Sequence, residues 1–442
     1  MSTPRRRHRT SPSAVPPAAL GARLLAFAVV ALLVWGTTPN AHAFPGGSRQ
    51  QVLDYLRALT GSGIVSGQHN KEPAAGPGQY TQQVKDVTGQ YPGLWGGDLM
   101  FRAEDVANRQ RVVDQAKTEW ANGSLVTLTW HVCPPTTGSS CEFDGGVKSR
   151  ITDAQFAQVV TAGTALNTAW KRRLDEAVPY LQQLKAAGVP VLFRPLHEMN
   201  ETWNWWGHRP GPDGGARLYR ITRDHLAAKG LDNLVWVWNV QDNPEGRWAD
   251  YYPGDAYVDV VSLDVWYKNH PSASDYRQMQ DIARGKPIAL AEMGKVPDSA
   301  LLGSQTRWAY FMIWSEQLRG NNTNAEIQAA YFHPRVLNQG EVRLPAAGGT
   351  SPAPRTGPIT GPAGKCADVA GCGTADGAPV RPWSCNGGGA QQWRYDTSTR
   401  SLRDPQSGRC PDVTGHDPAD RTRSQVWNRT GNANQRWTPP TT

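Results

Sequence analysis

Residues 177–198 read Ala-Val-Pro-Tyr-Leu-Gln-Gln-Leu-Lys-Ala-Ala-Gly-Val-Pro-Val-Leu-Phe-Arg-Pro-Leu-His-Glu. The first part, 177–187, has the apolar spacing of a helix, and 189–193 is a short apolar, β-branched run typical of a buried strand. The same order follows at 216–228 and 234–238. Helices that alternate with strands in this way predict parallel βαβ units.

Strand candidates of this kind recur along most of the chain. Eight of them occur in a segment of about 300 residues, which suits a (β/α)₈ barrel, an α/β fold of about 250 residues in its usual form. The candidates are 63–66, 94–95, 125–129, 189–193, 234–238, 258–263, 287–290 and 309–313.

The composition is that of a folded, water-soluble protein. The 442 residues are 39% hydrophobic and 19% charged, which excludes a disordered chain, a collagen and a multi-span membrane protein. The formal net charge is +8. Five arginines lie in residues 1–43, where there is no Asp or Glu, and without them the charge is only +3. That excess is too small to predict a nucleic-acid partner.

Residues 1–43 have the pattern of a secretory signal peptide. An Arg-rich start precedes twelve uncharged, mostly apolar residues at 24–35, and Ala41-His42-Ala43 offers a cleavage site. Because a membrane span needs about 20 apolar residues, we expect cleavage and no membrane anchor afterwards. The sequence therefore predicts a secreted, extracellular protein in which cysteines form disulfides.

The remainder divides into two domains joined by a linker. Residues 345–358 are rich in Pro, Gly and Ala and predict a linker between a catalytic domain at 44–344 and a small domain at 359–442. The small domain contains a repeat: Gly-Lys-Cys-Ala-Asp-Val at 364–369 returns as Gly-Arg-Cys-Pro-Asp-Val at 408–413, an offset of 44 residues. Gln391 and Trp393 recur at the same offset as Gln435 and Trp437. Each copy has too few apolar residues to fold alone, so we expect a shared core built on tryptophans.

Polar and aromatic residues follow the predicted strands. In a (β/α)₈ barrel the active site forms from the loops at the strands' C-terminal ends, so these residues are the candidates for chemistry. They are Gln68, His69, Asp98, Trp130, His131, Arg194, His197, Glu198, Trp238, Asn239, Asp264, Trp266, Tyr267, Glu292 and Trp314.

Two of these residues are carboxylates that suit glycoside hydrolysis. Glu198 and Glu292 are 94 residues apart, or about three βα units, which places them on strands that face each other across the barrel mouth. A pair about 5–5.5 Å apart is typical of retaining glycosidases. Glu292 would have to be ionised to attack, whereas Glu198 would have to keep its proton near neutral pH through burial or a nearby negative charge.

Aromatic residues surround the first carboxylate. Trp203, Trp205 and Trp206 follow Glu198 closely, and we expect this cluster to contact sugar rings, because three large aromatics within four positions cannot all face one core. Trp266 and Trp314 are further candidates. For Trp120, Trp170 and Trp236 we expect core packing instead.

The segment Arg194-Pro195-Leu196-His197-Glu198-Met199-Asn200, continued by Trp203-Asn204-Trp205-Trp206-Gly207, strongly resembles the acid/base segment of glycoside hydrolase family 26, chiefly β-mannanases. Residues 66–69, 259–264, 286–292 and 311–314 resemble the segments of its first, sixth, seventh and eighth strands. The resemblance extends from about residue 51 to residue 337.

The resemblance implies roles for individual residues. It makes Glu198 the acid/base, Glu292 the nucleophile, and His197 the replacement for the Asn that is usual in the wider clan. The other implied substrate-binding residues are His131, Arg194, Trp203, Asp264, Tyr267 and Trp314. Glu201 departs from the family, which usually has Gly there, and we expect its carboxylate to change the shape of a subsite or to raise the pKa of Glu198. No cofactor or metal is expected, and zinc-protease, nucleophile-elbow and phosphate-loop motifs are missing from the sequence.

The small domain resembles the ricin-type lectin repeat, in which Cys-x-Asp-Val and Gln-x-Trp recur in a β-trefoil. Two repeats are present where that fold uses three, so a partial β-trefoil is expected. The first repeat keeps the set implied to bind sugar: Asp368, Trp383, Asn386 and Gln391. The second keeps Asp412, Trp427 and Gln435 but has Thr430 in the Asn position, which predicts weaker binding. Alternatively, Gln391, Trp393, Gln435 and Trp437 only build the core.

The cysteines predict disulfides. Cys133 and Cys141 are eight residues apart after the third strand, and a local bridge there would shape the cleft wall. By the lectin resemblance, Cys366 and Cys385 close the first repeat. A bridge between Cys372 and Cys410 would use the remaining two.

Together these features predict a secreted, monomeric endo-β-1,4-mannanase that works by double displacement with retention and whose partner is a polysaccharide. The alternatives are another β-glycanase of the same family, such as a β-1,3-xylanase or a mixed-linkage glucanase, and a carbohydrate-binding protein with an inactive barrel. Because both carboxylates are present, we rank the last alternative below the enzymes.

Overall fold

A computed structural model describes residues 47–74, 76–244, 247–345, 355–360, 362–396, 401–417, 419, 422–428, 430 and 433–435. The predicted signal peptide and much of the predicted linker lie outside these residues, as does Trp437. Among the helices that are described, none combines the length and the apolar character that crossing a membrane requires.

The described residues between 47 and 337 form the predicted barrel. Its strands are parallel and lie in the order β10-β1-β9-β2-β3-β4-β5-β6-β7-β8, and β8 pairs with β9 to close the sheet. The strands are β1 Ile64–Val65, β2 Gly67–His69, β3 Leu94–Asp98, β4 Leu125–Trp130, β5 Val191–Pro195, β6 Leu234–Gln241, β7 Val260–Val265, β8 Ile288–Met293, β9 Trp308–Ile313 and β10 Val336–Leu337.

The helices cover the outside of this sheet. Several begin at reciprocal caps: the side chain of Thr152 accepts from the N–H of Gln155, and that of Thr323 accepts from the N–H of Glu326. The helices are α1 Arg49–Ala58, α2 Gln79–Thr88, α3 Ala103–Ala107, α4 Arg109–Ala121, α5 Asp153–Val159, α6 Ala165–Asp175, α7 Val178–Ala186, α8 Gly215–Ala228, α9 Ala273–Ala283, α10 Ser299–Ser304, α11 Gln317–Gly320 and α12 Asn324–Tyr331.

All eight predicted strands are confirmed, and most run further toward the barrel mouth than predicted. The prediction followed short apolar and β-branched runs, but hydrogen bonding between parallel strands does not depend on such side chains. β8 therefore includes Glu292, which lies opposite Asp264 of β7 in the ladder. Trp120, Trp170 and Trp236 are buried in the core as predicted.

The small domain is all β. Its strands are β11 Arg355–Gly357, β12 Lys365–Val369, β13 Ala378–Ser384, β14 Trp393–Asp396, β15 Ser401–Arg403, β16 Cys410–Val413 and β17 Ser424–Trp427. They form antiparallel sheets in the orders β11-β14-β15 and β12-β13-β17-β16. The second sheet joins the two repeats through the β13–β17 pairing, and Trp393 is buried with Val369, Ala390 and Val426. The predicted shared core is thus confirmed, although it is small.

Disulfides join Cys133 to Cys141 and Cys366 to Cys385, as predicted. The remaining bridge was predicted wrongly, because Cys372 and Cys410 do not form a disulfide with each other. Cys372 is exposed in the turn after β12, whereas Cys410 is buried in β16.

Candidate active site

The loop after β5 holds Glu198 in a fixed backbone conformation. Leu196 and Glu198 both have positive φ, 53° and 52°, which costs free energy unless the surroundings fix it. Asn239 at the end of β6 supplies that support, since its Oδ1 accepts from the N–H of Glu198 at 2.7 Å. Asn200 adds a pair of hydrogen bonds with the backbone of Gln241, at 2.8 and 2.9 Å. The backbone that carries Glu198 is therefore anchored to the neighbouring strand.

A buried arginine connects the other two carboxylates of the site. Arg194 is fully buried and donates to Asp264 at 2.6 Å, to Thr129 at 3.0 Å and to Glu292. Asp264 also accepts from Asn239 at 2.8 Å. Arg194 thus places one buried positive charge in direct contact with both carboxylates.

The three carboxylates converge. One oxygen atom from each of Glu198, Asp264 and Glu292 lies within 4.8 Å of the others. Burial, followed by the charges of Asp264 and Glu292, raises the pKa of Glu198 well above its usual value. The side-chain hydrogen bond that Glu198 accepts comes from the neutral indole of Trp203, at 2.6 Å. The two glutamates therefore have the unequal environments that acid and nucleophile require.

This cluster is also the one place in the described part of the chain where three side chains could hold a metal ion. Arg194 already contacts two of the three carboxylates and supplies the positive charge that a cation would bring.

Two histidines form one wall of the site. His131 Nδ1 lies 2.5 Å from Asp98 Oδ2, and its backbone N–H donates to the same carboxylate. Burial acts to raise the pKa of Asp98, but His131, His69 and the hydrogen bond from the N–H of Met100 together lower it below its usual value. The ring of His197 lies 4.4 Å from that of His131, and burial keeps its pKa well below the usual range. Burial therefore favours the neutral form of the His197 imidazole.

Aromatic side chains frame the opening. Trp203 is half-buried, and its ring centroid lies 5.8 Å from that of Phe143. Trp314 is also half-buried and stacks on His69 with centroids 4.1 Å apart. Both tryptophans thus remain partly open to a sugar ring. Tyr267 is 54% exposed at the rim, where its N–H donates to Asp242.

The expectation that Trp205 and Trp206 contact sugar was wrong. Both are fully buried, and their indole N–H groups donate to backbone carbonyls of Val132 and His197, each at 2.8 Å. The prediction assumed a regular element with fixed side-chain directions. The segment after Glu198 is instead an irregular loop, which can turn both rings inward while Trp203 faces the opening.

Glu201 was expected to change the shape of a subsite or to raise the pKa of Glu198, but its carboxylate has other contacts. Its carboxylate accepts from Asn243 at 2.7 Å and, with the Gln241 amide turned toward it, from Gln241 at 2.9 Å. The charges that raise the pKa of Glu198 are those of Asp264 and Glu292.

Sequence reasoning assigned no role to three residues that hold this site. Thr129 is an ordinary strand residue by sequence, and only its contact with Arg194 distinguishes it. Asn239 is a candidate by sequence because it follows a predicted strand. Only the tertiary structure shows that its side chain bonds to both Glu198 and Asp264. Phe143 follows the Cys133–Cys141 bridge by two residues, and that proximity was a usable signal.

Residues 39–341 match the model of glycosyl hydrolase family 26. The chain belongs to glycosyl hydrolase family 26. A mannan endo-1,4-beta-mannosidase of Thermothelomyces thermophilus is 31% identical over 319 residues, a match covering 69% of this chain and 62% of that protein, less than two thirds of its length. One from Bacillus subtilis is 30% identical over 283 residues, which cover 59% of this chain and 76% of that protein.

Solved structures resemble the family 26 barrel as well. The structure of GH26A from Muricauda sp. MAR_2010_75 superposes with a TM-score of 0.64 at 32% identity, covering 69% of this chain and all of that chain.

Residues 356–437 match the model of the ricin-type beta-trefoil lectin domain.

The lectin-like domain presents one aromatic face per repeat. Trp383 is 50% exposed and Trp427 39% exposed. Arg381 stacks on Trp383 with its guanidinium carbon 4.6 Å from the ring centre. Trp393, in contrast, is buried, and its indole donates to the carbonyl of Ala367. This agrees with the alternative prediction that Trp393 builds the core of the domain.

Gln391 has a structural position. Its side-chain NH₂ donates to Asp368 at 3.1 Å and to the carbonyl of Ser384 at 2.9 Å, and its carbonyl accepts from the N–H of Asn386. Gln391 is only 1% exposed, so it orients Asp368 and the Asn386 turn and does not itself face solvent. Gln435 repeats this pattern with Asp412 at 3.0 Å.

Proposed function

We propose that this protein is a secreted endo-β-1,4-mannanase that hydrolyses mannan or glucomannan with retention of anomeric configuration. The observation that carries the proposal is the convergence of Glu198 and Glu292, whose nearest carboxyl oxygens lie within 4.8 Å. Inverting enzymes hold their carboxyl groups about 6.5–9.5 Å apart to admit a water molecule. The mannan specificity is supported by the names of the relatives.

In the proposed reaction, Glu292 attacks the anomeric carbon and forms a glycosyl-enzyme while the glycosidic bond breaks. Glu198 gives its proton to the departing oxygen and later removes a proton from the water that releases the sugar. Arg194 contacts Glu292 and places a positive charge beside the proposed nucleophile. Burial and the charges of Asp264 and Glu292 raise the pKa of Glu198 and so favour its protonated form before the first step. His131, His197, Trp203, Trp314, Asp264 and Tyr267 are the proposed substrate-binding groups.

The proposal extends to the rest of the chain. Residues 1–43 would direct export and be removed, and the mature protein would act as a monomer outside the cell. The lectin-like domain would hold the enzyme near polysaccharide through Asp368, Trp383 and Asn386, with Gln391 orienting them. Its partner is thus the substrate polymer or a neighbouring glycan.

The test is to incubate the mature protein with mannan, glucomannan, 1,3-xylan and barley β-glucan and to measure new reducing ends. Release from the two mannan polymers is expected. Release only from 1,3-xylan or barley glucan would replace the mannanase with another β-glycanase, and no release from any polymer would favour the binding protein. Proton NMR of the first product formed distinguishes retention from inversion.

A further inference from the structure

Glu201 is a buried carboxylate beside the proposed acid/base whose role the reaction leaves unexplained. It lies three residues after Glu198, is 5% exposed, and donates its backbone N–H to the Glu198 carbonyl at 2.9 Å. Burying a carboxylate is costly unless hydrogen bonds compensate. Here the side-chain amides of Asn243 and Gln241 donate to it at 2.7 and 2.9 Å. The effect is to fix Asn243, on the loop after β6, relative to the loop that carries Glu198.

Asn243 lies on the wall of a cavity of about 500 Å³. This volume is within the range of about 300–1,000 Å³ that is usual for small-molecule sites. Asn200 and Tyr251 are buried lining residues, whereas His208 and Asn243 are half-buried. A hydrogen bond from the N–H of Gly211 to the carbonyl of Asp250, at 2.8 Å, ties the two lining loops together. The cavity is therefore a preformed space between connected loops.

The chemistry of the lining indicates a neutral ligand with many hydroxyl groups. The two charged groups, Arg247 and Asp250, pair with each other at 2.8 Å, so neither sign of charge predominates. The other polar groups are two amides, an imidazole and a phenol, which can donate to and accept from hydroxyl groups. Tyr251 adds an aromatic ring. A pyranose matches this combination, whereas a phosphate or a carboxylate does not.

The position of the cavity indicates which part of the substrate it would bind. A general acid protonates the oxygen of the leaving group, so the leaving half of the chain lies on the side of Glu198. Asn200, which lines the cavity, is only two residues beyond Glu198 and is bound to the backbone of Gln241.

We propose that this cavity binds a pyranose of the leaving half of the substrate, and that Glu201 is the positioning residue that fixes Asn243 on its wall. The inference rests on the proposed mannanase activity. The pyranose comes either from the main chain or from a galactosyl branch, and the chemistry of the lining is the same for both.

The experiment compares Asn243→Ala, His208→Ala, Glu201→Ala and Glu201→Gln with the wild type. The matched control is Arg217→Ala. Arg217 is an exposed arginine of α8 that pairs with Asp213 and does not line this cavity. kcat/KM is measured on linear manno-oligosaccharides of three to six units and on galactomannan, and products formed in ¹⁸O-labelled water show which units occupy the leaving side.

We expect Asn243→Ala and Glu201→Ala to lower kcat/KM about 5- to 10-fold on the longest oligosaccharide and less than about 2-fold on the shortest, as expected for one or two lost hydrogen bonds. Glu201→Gln keeps an acceptor oxygen and should restore part of the loss. A loss that grows with chain length assigns the cavity to the main chain, whereas a loss confined to galactomannan assigns it to a branch.

Equal losses on every substrate, or no loss on any, would overturn the inference. If Glu201→Ala does not fold, Asn243→Ala and His208→Ala still decide the result, because neither removes a buried charge. A wild type that releases nothing from mannan refutes the proposed function instead, so the two failures are distinguishable.

Discussion

The indole Nε1 of Trp203 donates a 2.6 Å hydrogen bond to Oε2 of Glu198. This bond favours the ionised carboxylate and so lowers the pKa of Glu198, against burial and the charges of Asp264 and Glu292, which raise it. One side chain thus combines a half-buried ring at the opening of the site with an effect on the pKa of the proposed acid.

Replacing Trp203 by Phe keeps an aromatic ring and removes the donor. The pKa of Glu198 should then rise further. Because the proposed acid must be protonated, activity is lost as the pH rises through this pKa, and the alkaline limb of kcat/KM should move to higher pH. The measurement is the pH profile on a soluble mannan. A limb that moves to lower pH would contradict this account.

Removing the carboxyl group of Glu198 should affect substrates unequally. Glu198→Ala should lower kcat/KM on polymer by about 10²–10⁴, the usual contribution of general acid catalysis. Aryl β-mannosides with activated leaving groups need little protonation and should lose far less. Glu292→Ala is the control, since both kinds of substrate need the nucleophile. Equal losses in Glu198→Ala would exclude the acid role.

Arg194→Met should destabilise the barrel, because it leaves Asp264 and Glu292 buried without their counter-charge. The expected cost is about 3–5 kcal/mol at pH 7, measured by urea unfolding. Burial already raises the pKa of Asp264 well above its usual value, against the opposing charge of Arg194. Removing Arg194 should therefore raise the folded-state pKa of Asp264 further above the unfolded value. The deficit should therefore grow as pH rises and shrink as it falls.

The matched control for Arg194→Met is Arg284→Met, which removes an exposed side chain that pairs with Asp255 at 3.2 Å. A surface pair of this kind contributes less than about 1 kcal/mol. A deficit in Arg194→Met that does not change with pH would argue against the charge explanation.

The Cys133–Cys141 disulfide closes a short loop that continues to Phe143, whose ring faces Trp203. Replacing both cysteines by Ser should lower the free energy of unfolding by about 2–3 kcal/mol, mainly through greater freedom of the unfolded chain. A reductant should destabilise the wild-type barrel by a similar amount and the variant barrel much less. Equal effects on both proteins would show that this bridge contributes nothing.

The two repeats of the lectin-like domain provide their own control. Trp383→Ala should weaken binding to insoluble mannan roughly fivefold, the equivalent of about 1 kcal/mol for one lost aromatic contact. Trp427→Ala, at the corresponding position of the second repeat, should have a smaller effect. Hydrolysis of soluble oligosaccharides should be unchanged in both, and a larger effect of Trp427→Ala would reverse the ranking of the repeats.

The barrel was predictable because its information is local and repeated. Apolar runs such as 189–193 alternate with helical patterns, and a residue that follows a parallel strand must lie at one end of the sheet whatever the details. The candidate carboxylates could be named for the same reason. The loop after Glu198 was not predictable, since the directions of its tryptophans depend on hydrogen bonds from their side chains, such as the one from the Trp205 indole to the distant carbonyl of Val132.

The sequence by itself determined the order of strands and helices, the repeat of the small domain and the identity of the two glutamates, because each follows from neighbours along the chain. Only the tertiary structure decided that Arg194 contacts Asp264 and Glu292 while Trp203 contacts Glu198. The physical reason is that the pKa of a carboxyl group depends on burial and on charges within a few ångströms, and these come from strands far apart in the chain.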